Sequence, residues 1–247
     1  MMALDLARAL DPVLFARDCG VTPDPWQADL LRSSARRALL LCSRQSGKST
    51  ITALLGLWVA VFEAGLVVIV SPSQRQSAEM LRTIKQFLSN LANGPAIIAE
   101  SALKLEFANG ARILALPGGS GDKIRGIAGA AMVIVDEASR VEDELLAAVR
   151  PMLATSNGRL IALTTPAGKR GWFFESWHGD NDWQRIRVSA SDCPRISKEF
   201  LAEELKELGA MRFSEEYELA FLDPDEAVFP VAIIAAAFTP EVLPLWA

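Results

Sequence analysis

Short apolar runs alternate along the chain with longer stretches of helical spacing. Leu39–Leu41, Leu66–Val70, Ala130–Val135 and Arg159–Thr164 are compact, mostly aliphatic and closed by polar turns, the pattern of strands buried on both faces. Ile51–Phe62, Ser77–Leu91 and Glu142–Leu153 lie between or after them and read as helices. This order predicts an α/β fold with a mainly parallel central sheet flanked by helices. One pair departs from it. Leu103–Phe107 and Arg112–Leu116 flank Asn109-Gly110, a strong hairpin signal. It predicts an antiparallel hairpin near 103–116, an excursion at the sheet edge.

Upstream, Leu4–Arg17 has helical spacing with Pro12 as boundary or kink, and Trp26–Ser33 reads as a second helix. Downstream, the aromatic Gly171–Trp177 reads as core, Trp183–Ala190 as a strand, and Ser197–Leu208 and Met211–Phe221 as helices. Val228–Ala247 is apolar but interrupted by Pro230, Pro240 and Pro244, and is too irregular to close a second core.

Composition narrows the classes. With 247 residues, 51% of them hydrophobic, the chain can bury one large core and is not disordered as a whole. Cys19, Cys42, Cys193 and the single His178 are scattered, which gives neither a zinc site nor a disulfide framework. A net charge of −5 argues against a protein that grips DNA over its whole surface, so any nucleic-acid contact should be local, transient or made by an assembly. Met1–Leu10 is amphipathic and carries Asp5, unlike a secretory leader. Ile51–Val70 is broken by Glu63-Ala64-Gly65, so it is no membrane span.

Candidate chemistry gathers where apolar runs end. Leu39–Leu41 leads into Cys42-Ser43-Arg44-Gln45-Ser46-Gly47-Lys48-Ser49-Thr50, and a helix follows. Strand, phosphate loop, helix is the order a nucleoside triphosphate site needs, because N–H groups at a helix start attract phosphate. Gly47 allows close backbone approach, Lys48 supplies a point charge, and Ser49 offers a hydroxyl to Mg²⁺. Cys42 stands where the common pattern has its first Gly. Gln27, after Pro25-Trp26, is either an adenine-reading amide or a solvated helix residue. Ala130–Val135 runs into Asp136-Glu137-Ala138-Ser139. Paired carboxylates there suit a metal ligand, Asp136, and a base for water, Glu137; the alternative is a helix cap. Thr164-Thr165-Pro166 ends the next strand and can sense a γ-phosphate, or can be an ordinary exit turn. Arg125 lies in a Gly-rich loop upstream of the acidic strand, either solvated or aimed at phosphate.

Taken together, Gln27, the loop Ser43–Ser49 without its first Gly, Asp136-Glu137-Ala138-Ser139 and Thr164-Thr165-Pro166 resemble the ATPase domain of the large terminase subunit of tailed bacteriophages. Phe213–Phe229 resembles the segment that closes that domain. The resemblance implies a P-loop NTPase of the additional-strand (ASCE) class spanning residues 1–229, with 1–24 as a helical lead-in. Residues 230–247 would begin a linker to a nuclease domain absent from this chain, so no DNA cleavage is expected. It implies ATP and Mg²⁺, with Ser49 and Asp136 on the metal and Gln27 and Ser43–Thr50 on the nucleotide. Glu137, Lys48, Arg44 and Arg125 would be catalytic, and Thr164, Thr165 and Pro166 would couple hydrolysis to movement. Implied partners are double-stranded DNA, the portal protein, the small terminase subunit and further copies in a ring, a pentamer, with a monomer in isolation and no membrane. The implied setting is the bacterial host cytoplasm and, transiently, the prohead. The alternatives are a superfamily-2-helicase-like DNA translocase and a nucleotide-binding assembly module without catalysis.

Overall fold

The computed structural model describes residues 2–117 and 126–223. Eight strands form one sheet in the order β3-β4-β5-β2-β6-β7-β1-β8. They are β1 Arg37–Cys42, β2 Leu66–Ser71, β3 Ile97–Glu100, β4 Lys104–Phe107, β5 Arg112–Pro117, β6 Ala130–Asp136, β7 Arg159–Thr164 and β8 Gln184–Val188. From β5 to β8 every pairing is parallel. β3, β4 and β5 pair antiparallel at one edge. Crucially, β7 lies between β1 and β6. It separates the strand that leads into Ser43–Thr50 from the strand that ends in Asp136.

The helices are α1 Met2–Leu10, α2 Pro12–Asp18, α3 Pro25–Arg32, α4 Lys48–Phe62, α5 Gln74–Asn90, α6 Glu144–Met152, α7 Gly171–His178 and α8 Lys198–Glu216. They cover both faces because side chains alternate along each strand. Ala38, Leu40 and Cys42 of β1 join one core cluster with Phe15, Leu30, Ile51 and Leu54. Leu39 and Leu41 join the other, with Leu145, Val149, Trp172 and Phe173. Trp172 and Phe173 of α7 thus serve the core, as expected of that aromatic run, and Trp177 packs against it. His178 is exposed.

Local chemistry sets the boundaries. Asp11 caps α2 by accepting from Val13 N at 3.1 Å, and Pro12 occupies the first turn, so the lead-in is two helices. Asn109-Gly110 closes the β4–β5 hairpin with Gly110 at φ +87°. Two elements differ from the sequence expectation. β3 has no counterpart in it, because an edge strand reading Ile97-Ile98-Ala99-Glu100 buries no clean face. The final helix stops at Glu216 rather than at Phe221. Tyr217 and Leu219 both turn inward, a spacing no helix allows, and Leu219 has φ +65°. α8 also breaks at Gly209 (φ +76°), between the two predicted helices. The expected boundary at 229/230 and the tail after it lie outside the described residues. No helix among the described residues is long and apolar enough to cross a membrane.

Candidate active site

Three neighbouring strands end side by side. β1 delivers the loop Ser43–Gly47, β6 delivers Asp136-Glu137, and β7 delivers Thr164-Thr165. Leu41 pairs with Thr164 and Leu163 with Asp136 in register, so the three ends are level. Ligands bind at such carboxyl ends of parallel strands.

Cys42 is the last residue of β1, paired with Val188 of β8. Its burial pushes the thiol up to about 12, so it is a packed strand residue. The loop proper begins after it. Gln45 (φ +58°) and Gly47 (φ +86°) adopt left-handed backbone, and Ser46 Oγ donates to Ser43 O at 2.9 Å. Among the described residues, the N–H groups of Gln45, Ser46 and Gly47 donate to nothing in the chain. With the free N–H groups at the start of α4 they form a nest for anionic oxygens.

Lys48 is 7% exposed. Its Nζ lies 3.8 Å from Glu137 Oε1, a loose pair for a buried ammonium. Ser49 Oγ donates to Asp136 at 3.3 Å and 3.4 Å to the two oxygens. Asp136 is buried and also accepts from Glu137 N at 3.0 Å. Burial, and then the neighbouring Glu137 charge, push Asp136 up to about 6. A hard cation would relieve that strain, and a hydroxyl beside a buried carboxylate is a donor set that fits Mg²⁺. Glu137 itself has φ +51°, ψ +45°. Such backbone costs a non-glycine residue about 1–2 kcal/mol, so the surroundings hold this side chain at a chosen angle.

Gln27 is buried. Its Oε1 accepts from Asp24 N at 2.9 Å and its Nε2 donates to Ser46 O at 3.4 Å. The amide thus ties α3 to the phosphate loop, and only its spare hydrogen-bonding capacity remains for a base. Arg44 is outward, bidentate to Glu216. Thr50 is exposed on α4, and Pro166 is buried behind Thr165. Arg125 lies outside the described residues.

Three residues missed by the sequence reading join this site. Arg195 Nη2 donates to Ser46 O at 3.0 Å while pairing with Asp24. Glu216 holds Arg44. Arg140 Nη1 donates to Glu137 Oε2 at 2.7 Å and to Thr165 Oγ1 at 3.2 Å. Only Arg140 left a local signal, its spacing of three from Glu137. The other two meet the loop through long-range folding alone.

A parallel sheet with one strand inserted between the strand that delivers Ser43–Gly47 and the strand that delivers Asp136-Glu137 has the fold of a P-loop NTPase of the additional-strand class. The protein's residues 39–236 match the family model described as terminase large subunit, T4likevirus-type, N-terminal. The chain belongs to that family, to its N-terminal part. Solved structures agree on the fold. It is similar to the large terminase ATPase domain of Thermus phage P74-26, with 20% identity, 84% of this chain and 97% of that chain covered, and a TM-score of 0.71. It is also similar to the large terminase of a thermophilic bacteriophage in complex with ADP, with 13% identity, 80% and 53% covered, and a TM-score of 0.67. The bacteriophage HK97 large terminase matches at 18% identity, 81% and 50% covered, and a TM-score of 0.65. This chain spans about half the length of those last two proteins. No curated protein matches it.

Proposed function

We propose that this domain hydrolyses ATP in the cleft between the Ser43–Ser49 loop and the Asp136-Glu137 strand end, and that hydrolysis drives double-stranded DNA into a prohead. The convergence of Lys48, Ser49, Asp136 and Glu137 on one spot carries the reading. Loop N–H groups and Lys48 bind the phosphates and offset charge that develops on the γ-phosphoryl group. Glu137 orients the attacking water and takes its proton. Ser49 and Asp136 would hold Mg²⁺, which when bound neutralises the outer phosphate oxygens. Gln27, whose amide meets the loop at Ser46 O, reads the adenine with its remaining hydrogen-bonding capacity. Thr164 ends β7 one residue beyond the Leu163–Asp136 pair, and with Thr165 and Pro166 it transmits loss of the γ-phosphate.

The partners are double-stranded DNA, a portal protein, a small terminase subunit and further copies of this chain in a ring of five. Work takes place in the host cytoplasm and on the prohead. A ring supplies neighbours whose arginines complete each site, the role proposed for Arg125.

Phosphate release measured with and without double-stranded DNA tests the reading. Mg²⁺-dependent release from the wild-type chain, lost together with ATP binding in Lys48→Ala, supports it. ATP binding without release under either condition contradicts it and favours the assembly-module alternative.

A further inference from the structure

The Glu137 carboxylate is shared between two cations, one on each oxygen. Lys48 approaches Oε1 at 3.8 Å, and Arg140 donates to Oε2 at 2.7 Å. The same Arg140 nitrogen reaches Thr165 Oγ1 at 3.2 Å. A guanidinium nitrogen carries two hydrogens, so one atom can serve both acceptors. Thr165 is 2% exposed, which fixes its hydroxyl. A second link runs in parallel: Ser139 N donates to Thr164 Oγ1 at 3.3 Å, and Thr164 Oγ1 donates to Thr165 O at 2.7 Å. The turn that carries the base and the strand end that follows the phosphate are therefore stitched together. Among the described residues, Arg140 is the only stitch that includes the carboxylate.

Arg140 also borders open space. Its side chain is 40% exposed, at a cleft of about 930 Å³ bounded by Gly168, Arg170, Gly209 and Arg212. It can swing without repacking the core. Were it absent, Glu137 would keep one cationic neighbour, Lys48. The two would close on each other, removing the base from water and the ammonium from phosphate.

We infer that Arg140 is a positioning residue for hydrolysis: it holds the Glu137 carboxylate apart from Lys48 and joins it to Thr165, so that displacement of the Thr164–Pro166 segment moves the base. This rests on the ATPase reading above and adds to it the residue through which the segment reaches the chemistry.

The test is single-turnover phosphate release by the full chain in excess over ATP, beside titration with a fluorescent ATP analogue. Arg140→Ala should slow hydrolysis about 30-fold and leave the dissociation constant within about threefold. Arg140→Lys, which keeps charge and donors, should recover part of the rate. Thr165→Val should slow hydrolysis less than Arg140→Ala, and the double variant should be no slower than Arg140→Ala alone, because both act on one path. A merely structural arginine would instead weaken binding and rate together. Hydrolysis by Arg140→Ala within about threefold of wild type, or losses that multiply in the double variant, would overturn the inference. A thermal-melting cycle gives a readout independent of turnover. Melting shifts for Arg140→Ala and Glu137→Ala should be clearly non-additive, and simple additivity would also overturn the inference. A wild-type chain that binds no ATP defeats the ATPase reading itself, whatever the melting cycle shows.

Discussion

Arg44 of the phosphate loop is clasped by Glu216, 172 residues away, through contacts of 2.6 Å and 2.9 Å. The Arg44 N–H also donates to Glu216 O at 3.3 Å. This fork joins the loop to the short helical piece after Gly209. It holds Arg44 outward and raises its pKa, chiefly through the Glu216 hydrogen bonds. Because the Arg44 side chain is 60% exposed, solvent screening limits the fork's worth. Glu216→Ala should lower stability by about 0.5–1 kcal/mol, read from the urea midpoint. It should also speed limited proteolysis near Gly209. An unchanged cleavage rate there would show that the fork does not hold that segment.

Gly47 is the second point of leverage. At φ +86° it needs left-handed backbone, and an added Cβ would lie 2.7 Å from Gln27 Nε2 and 3.2 Å from Arg195 Nη2. Gly47→Ala should cost about 1–2 kcal/mol from backbone strain, more if Gln27 cannot yield. ATP affinity should fall with it, since the loop N–H groups turn out of line. Calorimetric binding checks this, and retained affinity would mean that the left-handed turn is dispensable.

Asp136 separates stability from function. A buried carboxylate beside Glu137 is costly without a cation. In chelator, Asp136→Asn should stabilise the fold by about 1–2 kcal/mol, since the amide keeps shape and drops the like charge. It should also abolish Mg²⁺-dependent turnover. A variant less stable than wild type in chelator would show that the ionised carboxylate is not a burden there.

Much of this was legible in the chain because the signals are local. Aliphatic runs of strand length marked β1, β2, β6 and β7, Asn109-Gly110 marked the hairpin, and Gly47-Lys48-Ser49 and Asp136-Glu137 stood after or at strand ends that the fold brings together. The order of strands was not readable from spacing. The resemblance implied only that one strand is added between the two motifs, and a neighbour relation such as β7 between β1 and β6 arises only on folding. Gln27 shows the limit most clearly. Its position left open a base reader or a solvated helix residue, whereas the fold buries it and gives its amide the work of joining α3 to Ser46. Arg195 and Glu216 reach the loop from the far end of the chain, and no periodicity encodes that.

Glu137→Gln tests the central claim most directly, with ATP binding and phosphate release measured on the same preparation. The amide keeps the shape of the side chain but cannot accept the proton of water. Release should fall by about 100-fold or more while ATP affinity stays within about threefold of wild type. Release at the wild-type rate would contradict the account, because the base would then lie elsewhere.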